Sequence, residues 1–216
     1  MVTNIKGEQI KIKEKSVGYF FTKRVFDIVF SIFCLIVLSP IFILITILIP
    51  LTSKGGPFYV QTRMGLNGKK FKIIKFRSMI KNAEELLPSL NNLNETDGPT
   101  FKITNDPRVT KFGRFLRKTS LDELPQFFNI IVGHMSVVGP RPPLPLEVKN
   151  YDEFASLRLL AKPGLTCIWQ CSGRSSLKFS DWMKMDVEYL QKRSLLFDLK
   201  LILMTIPAVF SGKGAW

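Results

Sequence analysis

Residues 25–51 form an apolar run of 27 residues whose single charge is Asp27. So long a stretch must leave water, and it is long enough to enter a bilayer. A straight helix of this length would measure about 40 Å against roughly 30 Å of hydrocarbon, so it has to tilt strongly or bend. Ser39-Pro40 stands near the midpoint. Proline removes a backbone hydrogen bond and crowds the preceding turn, and the serine hydroxyl can satisfy a carbonyl this frees. Two readings follow, a helix-break-helix that re-enters and leaves on one side, and a kinked single-pass anchor. Lys11, Lys13, Lys15, Lys23 and Arg24 precede the run and Lys54, Arg63, Lys69 and Lys70 follow it, so both flanks seek the cytoplasmic face. A cleaved signal peptide fits poorly, because the run is too long for an h-region and no small-residue cleavage site follows.

At 216 residues, 46% of them hydrophobic, the chain suits one globular domain plus an appendage. The divisions are a basic N-terminal extension (1–22), the apolar membrane segment in either of those readings (23–52) and a membrane-associated domain (53–216). The class is α+β and mostly helical. A net charge of +14 calls for an anionic partner: nucleic acid, anionic lipid or a phosphorylated metabolite. The three cysteines, with Cys34 inside the apolar run, point to a reduced compartment rather than a disulfide scaffold. Cys167 and Cys171 lack a second ligand pair, and the only histidine, His134, is distant in sequence, so they read as small buried hydrophobes rather than zinc ligands.

Residues 58–60 and 71–76 are β-prone and separated by Asn67-Gly68, which predicts a small β-hairpin. Residues 79–87 read as a helix, and the polar stretch 91–99 as a loop that orders with ligand. Asn105-Asp106-Pro107 is a cap followed by a first-turn proline, predicting an amphipathic helix with Val109, Phe112 and Leu116 on one side and Arg108, Lys111, Arg114, Arg117 and Lys118 on the others. Such a helix suits a membrane interface beside anionic headgroups. A further helix begins around Asp122 and runs to Gly133, since Pro125 is tolerated only in a first turn. Residues 194–210 are apolar but interrupted by Asp198 and Lys200, so this stretch packs on the core or lies at the interface.

Asp122 and Glu123 are adjacent carboxylates in a basic neighbourhood, a field that favours their ionised forms and draws anions. A structural reading is available: Ser120-x-x-Glu123 matches a capping box, and Asp122 alone can cap. Adjacent side chains point apart, which excludes the facing carboxylates of a glycosidase. The chemical reading gives each acid its own task. At a helix N-terminus with arginines nearby, a carboxylate can attack a phosphoryl group masked by Mg²⁺, while its neighbour ligates the metal as a hard oxygen donor.

In order along the chain stand the apolar run with Ser39-Pro40, Gln61-x-Arg63-x-Gly65, Lys75-Phe76-Arg77-Ser78-Met79, Asp106-Pro107-Arg108, Arg117-x-x-Ser120-Leu121-Asp122-Glu123-Leu124-Pro125-Gln126 and Gly139-Pro140-Arg141-Pro142. With these the chain resembles the small monotopic phosphoglycosyl transferases, the bacterial sugar transferase family, over nearly everything from Lys23 to Trp216. The resemblance implies a re-entrant membrane helix kinked at Ser39 and Pro40, at the inner membrane, with the catalytic domain in the cytoplasm. It implies a two-step reaction in which Asp122 attacks the β-phosphate of a UDP-sugar, UMP leaves, and undecaprenyl phosphate takes the sugar phosphate. Glu123 would hold Mg²⁺, Arg117 would bind phosphate, and Pro140, Arg141 and Pro142 would shape the nucleotide pocket. Lys75, Arg77, Arg63 and Arg108 are further substrate-binding candidates. His134 stands where the family usually has an acid.

Nothing before Lys23 resembles the multispan module of the family's long forms. The segments Ile168-Trp169-Gln170, Ser172-Gly173-Arg174 and Ser211-Gly212-Lys213-Gly214 resemble forms that load hexose phosphates, implying UDP-glucose or UDP-galactose for capsule or exopolysaccharide. The partners implied are therefore a UDP-sugar, undecaprenyl phosphate and membrane lipids, with room for a homo-oligomer and no nucleic acid. Rival readings are a membrane-anchored nucleic-acid-binding protein, for which no recognition motif is found, and a scaffold in which Asp122 only caps a helix.

Overall fold

A computed structural model describes residues 2–5, 8–101, 103–173 and 177–211. Arg174 and the stretch Gly212-Lys213-Gly214 lie outside the described residues. The chain opens with an antiparallel pair, β1 (Val2–Ile5) and β2 (Glu8–Lys11). Ser16 then caps α1 (Val17–Val37), its Oγ accepting the Tyr19 N–H at 3.2 Å. Leu38 breaks the helix, and α2 (Ser39–Thr52) leaves at 65° with Pro40 in its first turn, where a missing N–H costs nothing. Ser39 Oγ donates to the Ile36 carbonyl at 2.8 Å, the satisfaction expected at the break. No single described helix is long and apolar enough to cross a membrane, while the bent pair passes that test together.

Strands β3 (Phe58–Met64) and β4 (Lys70–Phe76) form the predicted hairpin, Phe58 opposite Phe76 and Met64 opposite Lys70. Its turn places Asn67 at φ 53° and Gly68 at φ 71°, the left-handed backbone that Asn-Gly tolerates. Phe71 and Ile73 face the core and Lys70 and Lys72 face out, the period-2 alternation of a half-buried strand, while Phe76, on the other face at the strand's end, is buried as well. Phe42 of α2 packs on Phe76 (4.8 Å between centroids), Phe58 (6.0 Å) and Phe128 (5.9 Å), so the apolar bend is seated directly on the hairpin.

One expected helix is absent and another starts late. Residues 79–87 form successive turns with N–H groups bonded three residues back. The Ala83 carbonyl, which an α-helix would offer to the Leu87 N–H, accepts Arg108 Nη1 at 3.3 Å instead. Of the loop read over 91–99, the first residues belong to a 3₁₀ turn (Pro88–Leu93). Nor does a helix start at Asp106, whose carboxylate folds back onto the Arg108 N–H and guanidinium. The helix α3 (Lys111–Lys118) begins instead after Thr110, whose Oγ1 accepts the Gly113 N–H at 2.9 Å. Gly113 is required there, because a Cβ would lie 1.9 Å from the Ser78 carbonyl oxygen.

After a 3₁₀ turn at Leu121–Glu123 come α4 (Gln126–Ile131), β5 (Ser136–Val138), α5 (Pro145–Lys149), α6 (Glu153–Ser156), β6 (Gly164–Thr166), α7 (Ile168–Cys171), α8 (Phe179–Lys192) and α9 (Leu195–Ser211). β5 and β6 pair in parallel, Ser136 with Gly164 and Val138 with Thr166. α9 buries Asp198 and Leu201 and exposes Leu196, Leu203 and Ile206, so it packs on the core by one face and presents apolar side chains on the other.

Candidate active site

Lys75 enters the site from β4, and the acid pair comes from the turn that follows α3. Ser120, at φ 56°, reverses the chain between them. Asn129 fixes α4 against the strand by accepting the Ile74 N–H at 3.0 Å and donating to the Lys72 carbonyl at 2.6 Å. That clamp sets the turn beside Lys75, whose Nζ is 2.7 Å from Glu123 Oε1. Gln170 of α7 donates to the other oxygen, Glu123 Oε2, at 3.4 Å.

The two acids differ sharply. Burial would raise the Glu123 carboxyl, but the charge and hydrogen bond of Lys75 and the charge of Arg141 hold it below its ordinary value, so it stays ionised. Burial raises Asp122 to about 6, the charges of Lys75 and Arg117 oppose the rise, and that of Glu123 adds to it. The only donor its carboxylate meets among the described residues is its own backbone N–H. Neither acid caps a helix: the 3₁₀ turn has Ser120 at its N-cap and α4 has Pro125, both without a side-chain cap bond. The capping box suggested by spacing is therefore not formed. Arg117 donates through Nε to Ser78 Oγ at 2.9 Å, which leaves the face of its guanidinium that carries Nη1 and Nη2 to the charge of Asp122.

Gly139-Pro140-Arg141-Pro142 follows β5 and is latched on both sides. A Cβ on Gly139 would lie 2.3 Å from the Lys162 carbonyl oxygen, so only glycine lets the chain approaching β6 cross here. Arg63 Nη1 donates to the Pro142 carbonyl at 3.1 Å, and the Met64 N–H to that of Pro143 at 2.9 Å. The charge of Arg141 acts on Glu123, Arg117 and Arg63, so its guanidinium lies within electrostatic reach of Glu123.

Lys75, Arg117, Asp122, Glu123 and Arg141 are thus brought together. Arg63 is committed to holding the Pro140-Arg141-Pro142 loop, and burial lowers its guanidinium to about 10. Arg77 ties down the chain before β3 through the Gly56 and Phe58 carbonyls, and Arg108 is paired with Asp106. Ser39 and Pro40 form the helix break. The exposed His134 ring lies against Phe71, 5.7 Å between centroids. Sequence reasoning missed Asn129 and gave Gln170 no part in the site. Both are polar residues between apolar neighbours, a pattern that marks a buried polar contact without saying to what.

Mg²⁺ takes one or two carboxylates and completes its shell with water and substrate phosphate oxygens. Among the described residues no three His, Cys, Asp or Glu side chains converge, so an all-protein cage is absent. Glu123 Oε2, whose single contact is long, is the oxygen suited to a magnesium ion that arrives on a diphosphate.

A family model described as "Bacterial sugar transferase" matches residues 18–212. The chain is 44% identical over 199 residues to the "Exopolysaccharide production protein ExoY" of Sinorhizobium fredii, covering 90% of this chain and 88% of that protein. It is 42% identical over 204 residues to the "Undecaprenyl-phosphate galactose phosphotransferase" of Salmonella typhimurium, and 38% over 203 residues to the "UDP-glucose:undecaprenyl-phosphate glucose-1-phosphate transferase" of Escherichia coli. Those two matches cover 91% and 90% of this chain but only 42% and 41% of the longer relatives.

Proposed function

This chain belongs to the bacterial sugar transferase family, and from that premise we propose that it transfers a hexose 1-phosphate from a UDP-sugar to undecaprenyl phosphate, at the start of exopolysaccharide or capsule assembly. UDP-galactose and UDP-glucose are the sugar donors that the relatives' names favour. The observation that carries the reading is the state of the acid pair. Two adjacent carboxylates serve no helix: the half-buried Glu123 is ion-paired, and the buried Asp122 is held among cations without a side-chain hydrogen bond.

In the proposed first step an Asp122 oxygen attacks the β-phosphorus, the bond to the bridging oxygen breaks, and UMP departs with that oxygen. The sugar phosphate stays on Asp122 as an acyl phosphate. In the second step a phosphate oxygen of undecaprenyl phosphate attacks the same phosphorus and Asp122 leaves as carboxylate, giving the polyprenyl diphosphosugar. Arg117 and Arg141 neutralise phosphate oxygens, and Lys75 orients Glu123. Glu123 would hold Mg²⁺, which when bound neutralises diphosphate charge. The apolar bend packed on the hairpin supports a monotopic enzyme of the inner membrane, its acid pair near headgroup height and facing the cytoplasm.

The test incubates the protein, purified in lipid, with Mg²⁺ and single UDP-sugars. UMP release and a hexose phosphate added to the intact mass are expected, mapped to Asp122 by peptide analysis. An enzyme that forms lipid product when undecaprenyl phosphate is supplied, yet shows no protein adduct when it is withheld, would refute the covalent route.

A further inference from the structure

Arg141 must be held at the acid pair against the charges of Arg63 and Arg117, which repel it. Its support lies outside the site. Arg141 rests over the Trp169 and Trp182 rings, 5.8 Å from each centroid, and those rings stack 4.7 Å apart at 22°. Beneath this stack is Arg158, 2% exposed. Arg158 Nη2 donates to the Arg141 carbonyl at 2.8 Å, and its guanidinium lies 4.8 Å from the centre of Trp182. Tyr151 Oη receives its Nη1 at 2.7 Å.

Arg158 therefore grips Arg141 twice, at the main chain and through the ring on which the Arg141 head rests. A planar, delocalised cation can do both at once, which an ammonium cannot. Its charge is tolerated in the core because Asp186, 1% exposed, sits 2.8 Å from Nη2. Asp186 is four residues after Trp182 on α8, so one helix face supplies both the ring and the counter-charge. Asp186 also feels the charge of Arg141.

We infer that Arg158, held in place by its ion pair with Asp186, is a positioning residue that fixes Arg141 for the diphosphate of the nucleotide sugar. The inference rests on the proposed function, in which Arg141 meets that diphosphate. Arg158 and Asp186 act only through Arg141, and that dependence is what the experiment reads.

UDP binding is measured by calorimetry on the full chain in lipid nanodiscs with Mg²⁺, for Arg141→Ala, Asp186→Asn and the double variant. Arg141→Ala weakens UDP about tenfold or more, as loss of a charge-assisted phosphate contact does. Asp186→Asn weakens it by roughly fivefold, and in the Arg141→Ala background it adds less than about twofold, the non-additivity of coupled residues. A merely structural Asp186 would weaken UDP by the same factor in both backgrounds, and that result overturns the inference while leaving the proposed function standing. An Asp186→Asn protein that binds UDP as the parent does overturns it equally. A silent Arg141→Ala removes the premise, and the inference falls with it. If Asp186→Asn does not fold, Trp182→Phe, which keeps an aromatic ring but weakens the cation contact, has to show the same dependence on Arg141.

Discussion

Two pairs of acids set the logic of this molecule. Asp27 and Asp198, which interrupt the apolar helices α1 and α9, are 3% and 0% exposed and fully engaged. Asp27 Oδ1 accepts Ser136 Oγ and the Val137 N–H, both at 3.0 Å, while Asp198 takes Lys23 Nζ at 2.7 Å and Tyr189 Oη at 3.0 Å. They bolt the apolar helices to β5 and to each other. Asp122, 8% exposed, has cations nearby but no side-chain hydrogen bond among the described residues. A carboxylate whose acceptors are satisfied stabilises a fold, whereas one kept desolvated and unsatisfied costs stability and gains reactivity.

The sharpest way to break this contrast is Asp122→Asn. Turnover should fall by ~10³-fold or more, as for loss of other covalent nucleophiles, with the unfolding midpoint unchanged or raised. UMP release and thermal unfolding check the two halves, and a variant that keeps its rate would remove Asp122 from the chemistry. Asp27→Leu should do the reverse. Stranding the Val137 N–H and weakening the support of Lys23 should cost roughly 3–5 kcal/mol in chemical unfolding, while the folded fraction keeps its rate.

Gly113→Ala tests how the scaffold reaches the site. Its Cβ would collide with Ser78, whose hydroxyl takes Arg117 Nε, so a loss of ~1–3 kcal/mol should accompany a fall in turnover on the order of tenfold. The smallest effect is in pH. Asp122 is raised to about 6 and must be ionised to attack, so kcat/KM should climb with pH and level off above about 6. Its native pKa exceeds the unfolded value near 3.9, so its contribution to stability is present at low pH and lost as pH rises through 6. Asp106, held below the usual carboxylate range by Arg108, contributes in the opposite sense and is lost on acidification. Activity and the Asp122 contribution to stability should therefore move against each other across pH 4–6, followed by steady-state rates and unfolding on the same samples.

Local signals were read correctly where they act locally. The hairpin followed from alternation and Asn-Gly, and the bend followed from Ser39-Pro40, because turn and proline preferences are set within a few residues. The start expected at Asp106 failed for the opposite reason, although the helix forms from Lys111: Arg108 outcompetes the downstream N–H groups for the carboxylate, and its other nitrogen captures Ala83. At the site, Lys75 and Arg77 look equivalent in sequence. β4 ends at Phe76, so Lys75 is still held by the strand facing Glu123, whereas Arg77 turns back to Gly56. The roles of Asp27 and Lys23 were equally hidden, since their partners lie 109 and 175 residues away.

Sequence by itself determined the apolar segment, its break, the hairpin, and an acid pair set among basic residues, since each depends on composition or on neighbours along the chain. Only the tertiary structure decided which cations meet that pair, which carboxylate carries an ion pair and which is left without a side-chain hydrogen bond. Those outcomes depend on burial and on contacts between distant segments, and no local preference encodes them.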